Sequence, residues 1–569
     1  MPFFLSPGVN FSEIDLTTIV PAVGTTEGAY AGDFDWGPLF SIVSLGNQVE
    51  LVSTFGKPTS NTFKSFFSVS NFLDYARNIR TVRTANVAAA KNATSGTALL
   101  IQNRDDYELN YLDLSAANTS GQFAARYAGA KGNGLKVSLW ASANSTAFAN
   151  WTYAEEFNGA TGTSTYVGNL SGANDEMHII VIDTLGKFSD AANTVLEKFP
   201  YVSKASDAKN DDGSSNYYVN VINDRSKYVY VLNHAQNITT QVSETSSWGN
   251  TAAATNFAET STSYTVTLSG GVDGWSETAN VIVGYDKFAN AEEVDVSLIV
   301  TGAHPQVVSE YIVDSIAETR RDCVAFISPE YADVVDNAGS EVADITTYRN
   351  LFNSSSYAVM DNNWKYQFDK FNNVYRWIPC NGDIAGLCVR TDFERDPWFS
   401  PAGFNRGHIK NVTKLAWNAT KGNRDDLYKI GVNPVQSFPG EGVILYGDKT
   451  MLAKPSAFDR INVRRLFIVL EKAITRAARY SLFEFNDEFT RAQFVALVEP
   501  FLRDVQGRRG IYDFRVVCDT TNNTPEVIDR NEFIGDIYIK PARSINFIQL
   551  NFVAVRTGVA FEEVVGKAT

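Results

Sequence analysis

The spacing of apolar residues predicts an amphipathic helix over 456–480. Its apolar residues project to one side, and basic residues project to a second stripe roughly 100° away. The apolar residues are Leu466, Val469, Leu470, Ala473, Ala477 and Tyr480, and the basic residues are Arg465, Lys472, Arg476 and Arg479. Ser456 and Asp459 suit the first turn, because a hydroxyl and a carboxylate accept hydrogen bonds from its free amides. We therefore expect one packed face and one charged face.

Strand and helix patterns alternate in the segments that surround the middle of the chain. Continuous apolar runs at 294–300 and 324–327 flank a helical pattern over 305–321, which predicts a parallel βαβ unit. The remaining predicted elements are helices over 63–78, 341–352, from 383 onward and 486–505, and strands over 357–360, 536–540 and 545–555. A hairpin is expected at Asn372 and Asn373, and Pro500 is expected to kink or split its helix.

Residues 88–266 differ in composition, being rich in Ala, Ser, Thr, Asn and Gly. Short alternating runs at 135–140, 178–182 and 264–268 predict strands joined by polar turns. We therefore predict a mixed α/β, multidomain fold that includes α+β parts. Its predicted divisions are an N-terminal arm (1–22), a split α/β domain (23–87 plus 267–433), an inserted, mainly β domain (88–266) and a C-terminal α+β domain (434–569).

The N-terminal arm carries apolar residues of two strand parities. Val9 and Phe11 share one face, whereas Ile14 and Leu16 share the other, so a bend near Ser12 is needed to bury both sets. So short a segment gains stability only by pairing with a sheet edge, in this subunit or in a neighbour. The apolar strand at the other end of the chain is expected to act in the same way.

Charge narrows the range of partners. The chain of 569 residues has 49 Lys and Arg against 64 Asp and Glu, a net charge of -15, which argues against direct nucleic-acid binding. Residues 454–509 depart from this balance with 11 Lys and Arg against 7 Asp and Glu, and so favour an acidic partner. No run approaches the 18 or so apolar residues of a membrane span, so we expect no stable membrane insertion.

Few residues of the sequence form a pattern that could support catalysis. His178, His234, His304 and His408 are far apart in sequence, the four cysteines match no zinc spacing, and the glycine-rich runs match no nucleotide fingerprint. We expect no enzyme activity, no catalytic or metal-binding residues and no cofactor. An α/β hydrolase or nucleotide-binding enzyme is the alternative of a different class, and only the βαβ unit suggests it.

A series of motifs spans the chain in order. They are LSPGVNFSEID (5–15), WGP (36–38), FGKP (55–58), ARYAGAKGNGLKV (125–137), LSGGVDG (268–274), SSYAVMDNNW (355–364), DPWFSPAGFNRG (396–407), FDRINVRRLF (458–467) and GDIYIKPARSINFIQLNFVAVRTGVAFEEV (535–564). Together they resemble the tail sheath proteins of contractile-tailed bacteriophages.

The resemblance implies a virion tail subunit, assembled in the host cytoplasm, with the inserted domain (88–266) as its outer domain and the C-terminal domain (434–569) as its inner, tube-facing domain. It implies stacked hexameric rings around a tail tube, with the tube, baseplate and tail terminator proteins as partners, and contraction that drives the tube through the cell envelope. The expected intersubunit arm residues are Val9, Phe11, Ile14, Leu16, Ile548, Leu550, Phe552, Val553 and Val555. The expected tube-facing residues are Arg465, Lys472, Arg476 and Arg479. A contractile bacteriocin or secretion apparatus is the alternative within this class.

Overall fold

The computed structural model describes residues 24–112, 119–234, 247–546 and 549. The predicted N-terminal arm and most of the predicted strand over 545–555 lie outside these residues. The arm residues concerned are Val9, Phe11, Ile14, Leu16, Ile548, Leu550, Phe552, Val553 and Val555. Their pairing stays a prediction.

The chain before residue 113 contributes three of the seven strands of a large sheet. Its elements are β1 (Gly28–Gly32), β2 (Ile42–Leu45), α1 (Gln48–Phe55), α2 (Phe63–Leu73), β3 (Ile79–Arg83) and α3 (Arg104–Asn110). The predicted helix over 63–78 is confirmed as α2, which ends at Leu73. The packing of α2 on β1 requires Gly28, since a Cβ there would lie 2.6 Å from Cζ of Phe72.

The following segment is mainly antiparallel. Its strands are β4 (Phe123–Ala125), β5 (Leu135–Trp140), β6 (Glu176–Asp183), β7 (Thr194–Ser203), β8 (Val229–Val231) and β9 (Tyr264–Thr267). Its helices are α4 (Ser145–Phe148), α5 (Thr165–Asn169) and α6 (Tyr218–Arg225), with 3-10 turns at Ala130–Gly134 and Ala154–Glu156. Strands β7, β6, β5 and β9 form one sheet in that order, and β4 pairs with β8. The predicted strands at 135–140, 178–182 and 264–268 are confirmed.

The chain then returns to the large sheet. The elements are α7 (Thr278–Asp286), β10 (Leu298–Val300), α8 (Gln306–Tyr311), a π-helical turn (Ile312–Ala317), α9 (Glu318–Arg320), β11 (Val324–Ile327), α10 (Tyr331–Val334), α11 (Glu341–Asn350), β12 (Ala358–Asp361), β13 (Trp364–Asp369), β14 (Val374–Pro379), α12 (Asn381–Glu394), β15 (Lys414–Leu415), α13 (Lys421–Lys429) and β16 (Val432–Asn433). β13 and β14 form the predicted hairpin.

The large sheet joins strands from both sides of the antiparallel segment. Its order is β16-β12-β11-β10-β1-β3-β2, and all neighbours are parallel except β2 and β3. Gly28 of β1 lies opposite both Leu298 of β10 and Ile79 of β3. The predicted parallel βαβ unit is confirmed as β10, the helical run from Gln306 and β11, although β10 is shorter than the apolar run that predicted it. The limits of the four predicted domains stay predictions.

The C-terminal part packs a helix pair against a two-stranded sheet. Its elements are β17 (Val435–Phe438), β18 (Gly442–Leu445), a 3-10 turn (Ala457–Asp459), α14 (Ile461–Ala478), a second 3-10 turn (Arg479–Ser481), α15 (Glu488–Gly507), β19 (Ile511–Val517), α16 (Pro525–Asp529) and β20 (Asp536–Pro541). The predicted helix over 486–505 is confirmed as α15, which runs through Pro500 without a break. β20 confirms the predicted strand at 536–540.

Candidate assembly surface

Helix α14 is buried on two sides. Ser456 caps the short 3-10 turn before it, and α14 itself begins at Ile461, later than the sequence pattern indicates. Ile461 and Ile468 join the core of the large sheet. Leu466 and Leu470 instead pack into the core formed with α15. α14 therefore connects the α/β body to the C-terminal helix pair.

Arg465 projects from α14 into the α/β body. Its Nη2 donates to Oδ2 of Asp392 on α12 at 2.6 Å, and its Nη1 donates to the carbonyl oxygen of Cys388 at 3.2 Å. The side chains of Arg465 and Asp392 are only 4% and 5% exposed. Burial raises the pKa of the Asp392 carboxyl, and Arg465 opposes that rise.

Two turns further along α14, Lys472 makes a second anchor. Its Nζ lies 2.9 Å from Oδ1 of Asp295, 3.0 Å from the carbonyl oxygen of Val296 and 2.9 Å from Oγ of Ser297, all just before β10. Arg476 reaches the other oxygen of Asp295 at 2.6 Å. Burial acts to raise the pKa of Asp295, but Lys472 and Arg476 outweigh it and hold that pKa below its ordinary value. The two basic residues thus fasten α14 to the large sheet.

The predicted division of α14 into a packed face and a separate charged face is therefore wrong for Arg465 and Lys472. Both are buried, because acids from distant parts of the chain compensate their charges. Arg476 is partly exposed, and Arg479 is exposed. Tyr480 was predicted on the packed face, but the α-helix ends at Ala478 and the ring of Tyr480 is exposed.

Arg464 is a buried anchor that the sequence pattern did not single out. Its guanidinium lies 4.3 Å from the ring centre of Tyr357 and 4.1 Å from that of Phe458. Its Nη1 also lies 3.1 Å from the hydroxyl oxygen of Tyr357. An aromatic residue six positions before an Arg is too weak a signal to have indicated this arrangement.

Beyond α14 the chain forms an exposed apolar tip, which we define as Tyr480, Leu482, Phe483, Phe485 and Phe489. Each of these side chains is at least 62% exposed, and Phe483 is fully exposed. Phe483 also has a positive φ of 69°, which is unusual for a bulky residue. Several exposed large apolar side chains within one short segment are typical of a surface that another molecule covers. The concentration of Phe in LFEFNDEF (482–489) is the sequence signal that could have indicated it.

The described parts of both chain ends lie beside the α14 anchors. The hydroxyl of Thr25 donates to Oδ2 of Asp392 at 2.6 Å, the same oxygen that accepts from Arg465. The hydroxyl of Ser297 donates to the carbonyl oxygen of Gly24 at 3.2 Å. Near the other end, Ser544 donates to Asp448, whose backbone carbonyl accepts from the amide of Ile461 at the start of α14.

The histidines bond to groups of the fold at separate places, and the cysteines are buried. His178, His304 and His408 each bond a backbone carbonyl, and His234 bonds tyrosine hydroxyls, at separate places in the fold. All four cysteines are buried free thiols. Across the described ranges, no group of three or more His, Cys, Asp or Glu side chains is arranged to hold a metal ion. In the same residues, no helix is both long and apolar enough to cross a bilayer.

An exposed apolar tip on a packed α/β body is typical of a protein that assembles with other molecules. Residues 278–451 match the family model for the phage tail sheath protein central domain, and residues 453–554 match that for the phage tail sheath C-terminal domain. The tail sheath protein of Enterobacteria phage T4 is 35% identical over 664 aligned positions, with 99% of each chain covered. That of Vibrio phage KVP40 is 34% identical over 668 positions, covering 99% of this chain and 100% of the relative. The chain belongs to the phage tail sheath protein family.

Solved structures have the same fold at much lower identity. The sheath tail protein of Listeria innocua is 12% identical, with a TM-score of 0.51 over 92% of this chain and 96% of its own. The sheath tail protein of Desulfitobacterium hafniense is 11% identical, with a TM-score of 0.51 over 94% of this chain and 100% of its own. The mixed α/β, multi-sheet architecture is thus shared across distant relatives.

Proposed function

We propose that this chain is the structural subunit of a contractile phage tail sheath. It assembles as stacked hexameric rings around a tail tube, in contact with baseplate and tail terminator proteins, and shortens to drive the tube through the host envelope. It is a component of the virion tail, it assembles in the host cytoplasm and it has no enzyme activity. The observation that carries the proposal is the apolar tip, because an isolated subunit gains nothing by exposing five large apolar side chains.

The anchors of α14 suggest how movement is transmitted. Thr25 shares Asp392 with Arg465, and Gly24 is linked through Ser297 to Lys472. An N-terminal arm paired with a neighbouring subunit therefore pulls on residues that are fastened to α14. Rigid bodies can then slide past one another while the strand pairing between subunits persists. The energy is stored in an extended lattice that is kinetically trapped, so no nucleotide is required.

The tube-facing surface is proposed to be the exposed end of the α14 region. Arg479 and the apolar tip are free to contact the tube, and Arg476 is partly so, whereas Arg465 and Lys472 hold the helix in place. Charge reversal by Arg479→Glu is expected to leave the subunit folded and to reduce sheath assembly on purified tubes. Equal assembly of the variant and the wild type would reject Arg479 as a tube contact.

Negative-stain microscopy of the purified full chain tests the proposed function. Long hollow cylinders are expected, either alone or with added tubes. Small discrete particles under all assembly conditions would contradict it. A thermal-shift screen on the same preparation tests the enzyme alternative, which requires stabilisation by a substrate or nucleotide.

A further inference from the structure

An open cleft of about 610 Å³ lies at the carboxyl edge of the large sheet, far from the apolar tip in sequence. We call it the aromatic cleft and define it by Phe63, Lys64, Trp275, Tyr331, Tyr375 and Trp377. Trp275, Tyr331 and Tyr375 are 38% to 49% exposed. Crevices at the carboxyl ends of parallel strands are common binding sites, and this volume is in the range of about 300–1,000 Å³ typical of ligand pockets.

The lysine that lines the cleft lies against aromatic rings. Nζ of Lys64 lies 5.9 Å from the ring centre of Tyr331 and 5.7 Å from that of Trp364. No hydrogen-bond acceptor or ion-pair partner for this nitrogen is found in the described part of the chain. Burial lowers the pKa of the Lys64 ammonium, as expected for a partly dehydrated cation. An anionic group entering the cleft would supply the missing partner.

The other cation of the cleft is already compensated. Nε of Arg376 lies 3.3 Å from Oδ2 of Asp369, and its guanidinium lies 4.5 Å from the ring centre of Phe63. The cleft is also lined by the carboxylate of Asp33, which accepts a hydrogen bond from a backbone amide at 3.2 Å. Lys64 is therefore the charged group of the cleft that lacks a hydrogen-bonded or ion-paired partner among the described residues. Its position between aromatic rings favours a partner that brings both a carboxylate and buried surface area.

We propose that the aromatic cleft receives an exposed acidic segment of a second copy of this chain. Tyr, Trp and Arg are the residues enriched at the energetic centres of protein–protein interfaces, whereas the rim is polar. The net charge of -15 means that the surface of another copy is rich in carboxylates that can pair with Lys64. This inference rests on the proposed self-assembly of the chain, and it assigns that assembly a contact away from the arms and the apolar tip.

Site-specific crosslinking identifies the occupant. A photo-reactive phenylalanine analogue replaces Tyr375 in the full chain, the protein is assembled into cylinders, and the crosslinked peptides are sequenced. The expected product is a dimer of this chain, joined through a peptide that contains Asp or Glu. Crosslinks to the tube protein only, crosslinks to a peptide without acidic residues, or monomers only would overturn the inference.

Charge variants at Lys64 test the electrostatic part. Lys64→Glu is expected to raise the protein concentration needed for assembly at least about tenfold, whereas Lys64→Arg keeps the charge and stays near the wild-type value. Lys421→Glu on α13 is the matched control for an exposed lysine. Urea unfolding of each monomer shows whether the variant is folded.

The outcomes separate the two proposals. If the wild type forms no cylinders, the proposed function fails. If the wild type forms cylinders and Lys64→Glu assembles at the same concentration, only the inference about the aromatic cleft fails.

Discussion

Replacement of Arg465 by Met tests whether α14 is held by a buried ion pair. The variant keeps a side chain of similar length but leaves Asp392 buried, with the Thr25 hydroxyl as its remaining side-chain donor. Removing one partner of a buried ion pair costs about 3–5 kcal/mol, since the other charge stays desolvated without compensation. We expect a loss of this size in the free energy of unfolding at neutral pH.

The loss is expected to depend on pH with a definite sign. The pKa of Asp392 is raised in the folded wild type, and removal of Arg465 takes away a group that lowers it. Between the unfolded and folded pKa values the native state binds more protons, so stability falls as pH rises through that window. The penalty of Arg465→Met is therefore smaller at about pH 5 than at about pH 8.

Urea unfolding at the two pH values measures both effects. Arg503→Met is the matched control, because Arg503 forms an exposed pair with Glu499 at 3.2 Å and should cost no more than about 0.5 kcal/mol. In the double variant with Asp392→Asn, the buried charge is gone, so the combined loss is expected to be smaller than the sum of the single losses. A cost for Arg465→Met no larger than that of the control, with no dependence on pH, would refute this account of α14.

Three further predictions concern the tip, the arm and a buried acid. Phe483→Ser is expected to leave the free energy of unfolding of the monomer within about 0.5 kcal/mol of wild type but to abolish assembly. A large loss of monomer stability would contradict an exposed role. Deletion of residues 2–18 should give folded subunits without stable sheaths in electron micrographs, and sheaths of normal length would count against the arm. Burial raises the pKa of Asp361 to about 7, so stability should fall as pH rises from the ordinary carboxyl pKa to neutrality, by at most about 1.4 kcal/mol per pH unit. Asp361→Asn should flatten that fall in urea titrations, and an unchanged slope would argue against it.

Local patterns were sufficient for the main elements. The apolar runs that predicted the βαβ unit are confirmed because a strand covered on both faces must be apolar throughout, as β11 is. Helix α15 was predicted from its 3.6-residue repeat, although Pro500 suggested a break. Proline removes one backbone hydrogen bond and distorts the helix locally. Tertiary packing can hold the helix together despite this cost, so the predicted break does not occur.

Sequence patterns did not indicate the surroundings of the candidate surfaces. The sequence predicted a charged face on α14, but it did not indicate that Arg465 and Lys472 are buried. Asp392 and Asp295 lie far from α14 in sequence, and no periodicity indicates that they will meet Arg465 and Lys472. The aromatic cleft is a similar case, since Lys64, Trp275 and Tyr375 come from three distant segments.

The sequence by itself determined the family, the alternation of strands and helices and the amphipathic character of α14, because these depend on residue order and local spacing. Tertiary structure decided which charges of α14 are buried, since the desolvation of a cation depends on acids brought near it by the fold. It also decided that Tyr480 and its neighbours are exposed, because the α-helix ends at Ala478, before the apolar repeat does. Helix α14, which the sequence predicted to have one packed and one charged face, is held on the α/β body by buried ion pairs, and the segment that follows it exposes apolar side chains.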